Sequence, residues 1–124
     1  MTSAPLALSL DQVRRFRMER SGLLAPFASP EAAASALVGI QAQILPAAGL
    51  ALWNRTPGLD NRRFEESLFA QRTLVKLWGQ RGTLHLYPSV EWPLIHAART
   101  SNHTWWARKV GEGGDEAREA YRTK

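Results

Sequence analysis

The chain of 124 residues contains no cysteine. Disulfides and thiolate metal sites are therefore excluded, and the absence fits a reducing compartment. No apolar run approaches the roughly twenty residues that a membrane-spanning helix needs. The first ten residues are interrupted by Ser3, Pro5 and Ser9, too broken for the apolar core of a secretory signal. A soluble, cytoplasmic protein with no membrane association is expected. A Gly-rich phosphate loop, a Gly-x-Ser-x-Gly elbow and a dinucleotide fingerprint are also missing. Nucleotide hydrolysis, esterase chemistry and hydride transfer lose support accordingly. His96 and His103 can share a helix face, but no carboxylate or thiol stands at metal spacing, so neither a metal nor any other cofactor is expected.

What is present is an apolar share of 44% with five Trp, enough for one folded domain with a modest core. Lys and Arg outnumber Asp and Glu by 16 to 11, giving a net charge of +5. The cations are mostly Arg, whose planar fork suits phosphates and guanine edges. A basic surface of this kind is compatible with nucleic acid, although many soluble proteins carry similar charge for solubility alone.

Start and stop signals divide the chain. Ser9 with Gln12 forms a capping-box pattern for a first helix that should end at Ser21-Gly22. Ser29-Pro30-Glu31 opens a second, with Ala33, Ala36, Leu37 and Ile40 as its buried stripe and an end close to Gln41–Gln43, because Pro46 disfavours helix at Leu45. Residues 49–53 suit either a strand or a helical turn. Asp60 caps a third helix over about 61–71, with Phe64 and Leu68 inward and Arg62, Arg63 and Arg72 outward. Residues 74–78 and 83–87 read as two strands around a turn at Gln80–Gly82, and Ser89 starts a helix over about 90–108. The polar tail from Gly111 onward reads as frayed. The fold expected is mainly α with a small β-hairpin, a winged helix-turn-helix over residues 1–88. Residues 89–124 are expected to lead towards a second module that the chain does not contain.

Several segments carry a resemblance. They are Leu8 to Arg15, then Ala36-Leu37-Val38-Gly39-Ile40-Gln41-Ala42-Gln43, then Leu50 to Arg55, and finally Leu74 to Trp78 with Arg81-Gly82-Thr83-Leu84-His85-Leu86. Together these resemble the N-terminal part of the winged-helix DNA glycosylase family that includes AlkZ and YcaQ. The resemblance runs over about residues 8–98, and Arg81 to His85 is its most diagnostic piece. It implies excision of N7-alkylated purines and, in some members, unhooking of interstrand crosslinks. One branch of the family carries Gln-apolar-Gln as its catalytic motif and the other Gln-apolar-Asp. With Gln at position 43, the chain is similar to the first, which makes Gln41 and Gln43 the candidate catalytic residues. The partner implied is double-stranded DNA, alkylated or crosslinked. Family members add tandem winged helices and a β-rich domain, so missing C-terminal modules or self-association are expected. A non-catalytic winged-helix DNA-binding protein is the alternative.

Glutamine does not titrate, so the pair cannot act as an efficient general base. It can hold a water with its carbonyl oxygen and donate from its amide. On a regular helix residues i and i+2 point about 200° apart, whereas in extended chain they face one way. The geometry of this segment therefore decides whether the two amides can cooperate; otherwise they are ordinary polar residues at a helix end. Arg81, at the hairpin turn, is placed to reach phosphate, or else is a solvated turn residue. His85 shares a strand face with Thr83 and Tyr87, and either touches DNA, braces the site or serves structure alone. Arg62, Arg63 and Arg72 can contact the DNA backbone from the third helix or form a merely solvated face. Trp105-Trp106, beside Arg108 and Lys109, can stack on bases or pack against a neighbouring domain.

Overall fold

The computed structural model describes residues 6–101. The expected end of the last helix, His103, Trp105-Trp106 and the polar tail lie outside the described residues. The chain divides into two compact units, Met1–Glu91 and Trp92–Lys124.

In the first unit, α1 spans Leu10–Arg20. Ser9 Oγ accepts from the Gln12 N–H at 3.2 Å, and Gln12 Oε1 accepts from the Ser9 N–H at 2.8 Å, so the capping box forms as the sequence suggests. No residue of α1 is buried. Helix α2 covers Pro30–Ala36, with Ser29 Oγ accepting from the Ala32 N–H.

The end of α2 departs from expectation. The helix stops at Ala36, not near Gln41–Gln43. Val38 takes φ 54° and Gly39 φ 101°, and the Gly39 N–H reaches back to the Ala34 carbonyl at 2.7 Å. That bond is the long closure of a Schellman-type stop. The stop was hidden because its left-handed residue is Val, which ordinarily avoids that conformation. The chain leaves the turn extended, as strand β1, Ile40–Gln41.

The alternatives open for residues 49–53 resolve as helix. Helix α3 runs Leu45–Trp53. Pro46 sits in its first turn, where a missing N–H costs nothing, so this proline opens a helix as well as ending the preceding segment. Helix α4, Asn61–Glu65, starts at Asp60, whose Oδ1 accepts from the Arg63 N–H at 2.7 Å. It continues as a π-helical turn over Glu66–Ala70, and Arg72 follows with φ 54°. Strands β2, Leu74–Trp78, and β3, Leu84–Pro88, form the expected hairpin. A short 3-10 turn, Ser89–Glu91, closes this unit.

The three strands form one antiparallel sheet in the order β1-β3-β2. Ile40 pairs with Leu86 and Gln41 with His85, while Leu77 pairs with His85 on the other side. A helical layer against a small sheet with a terminal hairpin is the winged-helix arrangement. The core comprises Ala33 and Ala34 of α2, Ala48 and Leu52 of α3, Leu59, Phe64, and Ile40, Ala42, Leu74 and Leu86 from the sheet side. Of the expected α2 stripe, Ala33 and Ile40 are buried, Leu37 is half-buried and Ala36 is exposed; Ala34 takes its place. The small side chains of α2 let that helix lie close upon β3. In the second unit, α5 spans Trp92–Ser101, and the Trp92 and His96 rings lie 5.1 Å apart.

Candidate active site on the sheet face

The β1 segment alternates strictly. Ile40 and Ala42 are buried in the core, and Gln41 and Gln43 are exposed. The two glutamines therefore stand on the same side of an extended segment, the face opposite the core. Pairing with β3 runs past the formal strand end, since the Ala42 N–H donates to the Leu84 carbonyl at 2.7 Å. Gln43 then folds its side chain onto the same neighbour: the Leu84 N–H donates to Gln43 Oε1 at 3.3 Å. One oxygen lone pair is thereby used, and the amide NH2 and the second lone pair are left for another molecule. The Gln41 amide has no hydrogen-bond partner among the described residues.

His85 lies directly across from Gln41, and cross-strand partners share a face. It is only 4% exposed. Sequence reasoning offered it as a DNA contact or as a brace. At that depth the ring lies among its strand neighbours, with Nδ1 3.0 Å from the Thr83 carbonyl oxygen. Alternation along a strand fixes which side a residue takes, but not how thickly that side is covered.

Two glycines shape the same face. Tyr87, 1% exposed, packs between the backbone at Gly39 and at Gly79. A Cβ added at Gly39 would lie 2.6 Å from the Tyr87 ring, and one at Gly79 1.9 Å from its hydroxyl oxygen. Glycine at both positions lets the ring clamp the entry to β1 against the exit from β2. Gln80 adds a strap, donating from Nε2 to the Val38 carbonyl. The hairpin turn and the turn before the glutamines are thus fastened to each other. Residue typing did not find this clamp, although Gly39 and Gly79 flanking a pair of β segments were its sequence trace.

The arginines divide. Arg81, at the hairpin tip with φ 54°, is exposed and has no side-chain partner among the described residues. Arg72 is likewise exposed and unpaired through its side chain among the described residues, but lies beyond α4 rather than on it. Arg62 pairs with Glu66 at 2.6 Å, and Arg63 Nη1 donates to the Gly58 carbonyl at 3.1 Å. An exposed i,i+4 pair contributes well under about 1 kcal/mol, so a phosphate can compete for Arg62.

A separate cleft of about 300 Å3 lies at the start of α2, lined by Ser29, Glu31, Thr56, Arg63, Ser67 and Gln71 among others. Neither glutamine nor His85 lines it. Burial raises the Glu31 carboxyl, but hydrogen bonds from Thr73 Oγ1, from its own backbone, and from Ser29 and Ser67 outweigh that and hold it below its ordinary value. Thr73 Oγ1 donates to Glu31 Oε1 at 2.6 Å, joining α2 to the approach to β2. We read this cleft as structural, since both carboxylates that line it are engaged, Glu31 by Thr73 and Glu66 by Arg62.

The sequence pattern of the family described as DNA glycosylase AlkZ-like matches residues 34–123, which includes β1 and the hairpin. Among solved structures, the DNA glycosylase AlkZ of Streptomyces sahachiroi superposes with a TM-score of 0.71 at 29% identity, over 86% of this chain. The chain spans 30% of the length of that protein. No curated protein sequence matches. The chain belongs to the AlkZ-like DNA glycosylase family.

Proposed function

We propose that the chain carries the hydrolytic module of a DNA glycosylase that cleaves the N-glycosidic bond of N7-alkylated purines in duplex DNA, interstrand crosslinks among them. The observation that carries this reading is the exposure of Gln41 and Gln43 on one side of an extended edge segment. A purine alkylated at N7 is already cationic and leaves without strong acid assistance. Around the bond itself the enzyme must add a positioned water and dipoles that favour a cationic sugar. Two neutral amides supply both. Gln43, tethered by the Leu84 N–H, is the more rigid of the two; Gln41 is free to follow the substrate.

Arg81 at the hairpin tip and Arg72, with Arg62 and Arg63 of α4, are the candidate backbone contacts, and their role is to hold the duplex rather than to read sequence. The protein acts in the cytoplasm at the nucleoid. Base release from a duplex bearing N7-methylguanine, followed by chromatography, tests the reading. Gln41→Ala and Gln43→Ala should each slow release by about 100-fold or more, the scale of losing a preorganised polar group, with duplex affinity held within about twofold. Release at the parental rate by both variants would falsify the assignment. A parental protein that binds duplex yet frees no base leaves the non-catalytic DNA-binding reading in place.

A further inference from the structure

The amide pair leaves one chemical need unmet, a group that takes a proton. The register of the sheet supplies one. His85 Nδ1 lies 3.0 Å from the Thr83 carbonyl oxygen. A carbonyl can only accept, and the Thr83 hydroxyl is farther from Nδ1, at 3.5 Å; the contact assigns the hydrogen to Nδ1 and leaves the lone pair of that tautomer on Nε2. Nε2 has no partner among the described residues. Thr56 Oγ1 is the side-chain polar atom found both sealed from solvent and unpartnered among the described residues. Nε2 is therefore not sealed: it opens on space that a water can enter. The ring sits opposite Gln41, at a cross-strand Cβ separation of about 5 Å, on the face that bears both glutamines.

We propose that His85 is a catalytic residue, the proton acceptor for the water that Gln41 and Gln43 hold. This rests on the glycosylase reading above. In the step, the water oxygen bonds to C1′ of the sugar while the N9–C1′ bond breaks. The electron pair of the broken bond neutralises the cationic purine, which departs. The proton released by the water passes to Nε2, and the imidazolium returns it to solvent afterwards. Glutamines position and His85 receives; neither task needs the other's chemistry.

The groups facing His85 among the described residues are Gln41 from β1, Leu77 from β2, and Thr83 and Tyr87 on its own strand, with the Tyr87 ring 5.9 Å away. Arg81 in the adjoining turn is the cation nearest in sequence. Histidine is the side chain that ordinarily changes charge between pH 5 and 8, and the glutamines do not titrate at all. The readout of this role is an acid limb in the parental rate that the His85 variants lose.

The test is a single-turnover pH–rate profile from pH 5 to 8 on N7-methylguanine duplex. It compares the parental protein, His85→Asn, His85→Gln and Gln41→Ala, with circular dichroism melts alongside. Asn keeps a donor near Nδ1 for the Thr83 carbonyl and removes the acceptor at Nε2. Gln reaches the Nε2 position with a group that does not titrate. The parental rate should fall towards acid. Both His85 variants should be slower by about 100-fold, the lower end for general-base loss, and flat with pH, at unchanged duplex affinity. A flat parental profile overturns the proposal without any variant. So does a folded His85 variant that works at the parental rate or keeps the acid limb. If Gln41→Ala is disabled while the His85 variants are not, only this inference falls. If Gln41→Ala is also unaffected, the site reading falls with it.

Discussion

Among the described residues, Val38 holds the one left-handed conformation that a β-branched side chain must bear. Its Cβ crowds the carbonyl at φ 54°, at a cost of about 1–2 kcal/mol. The side chain is 57% exposed, so little burial compensates. Asn tolerates the same conformation, and Val38→Asn should stabilise the fold by about 1 kcal/mol, read as a higher midpoint in urea. An unchanged or lower midpoint would show that Val38 makes contacts that outweigh its backbone. At this scale the sequence was partly legible. The identities of Gln41 and Gln43 were plain, and the demand that i and i+2 lie in extended chain was stated from geometry alone. The depth of His85 was not, because burial depends on what the opposite strands bring, and alternation is silent on that.

The elements were most readable at their starts. Ser9, Ser29 and Asp60 each cap the helix they announce, because a side-chain acceptor one step outside a helix has few other local uses. Asp60→Ala should cost about 1 kcal/mol and leave the sheet intact, measured by denaturation with the near-ultraviolet circular dichroism of the folded protein as control. A loss within error of zero would mean that packing of Phe64 sets the start of α4 by itself. Helix ends were harder. The stop after Ala36 rests on a Val in a glycine's conformation, and the start of α3 on a proline that also marks an ending. The hairpin was legible because its two runs are rich in β-formers and separated by Gly82. The third strand, β1, was not: two residues are too few to show a period.

For the molecule as a whole, Glu31 ties early and late chain together through Thr73. Its carboxyl is held below its ordinary value, so the folded state favours the charged form. The resulting stability is fully present above the ordinary carboxylate range, near pH 4.3, and is lost as pH falls through the lowered folded value. Glu31→Gln should therefore flatten the acid edge of a stability–pH curve while changing little at pH 7 to 8 beyond the lost Thr73 bond. An identical acid edge in the variant would sink the assignment. Within the first unit, β3 is the centre strand, shared by the glutamine-bearing edge and by the arm of the hairpin. Whatever leans on the tip at Arg81 leans on the same rail from which Gln41 is hung. Grip and aim are therefore tuned together. On the glycosylase reading proposed above, lengthening the hairpin to admit bulkier adducts would detune the hydrolytic station in the same stroke, and a variant selected for one trait will carry a change in the other.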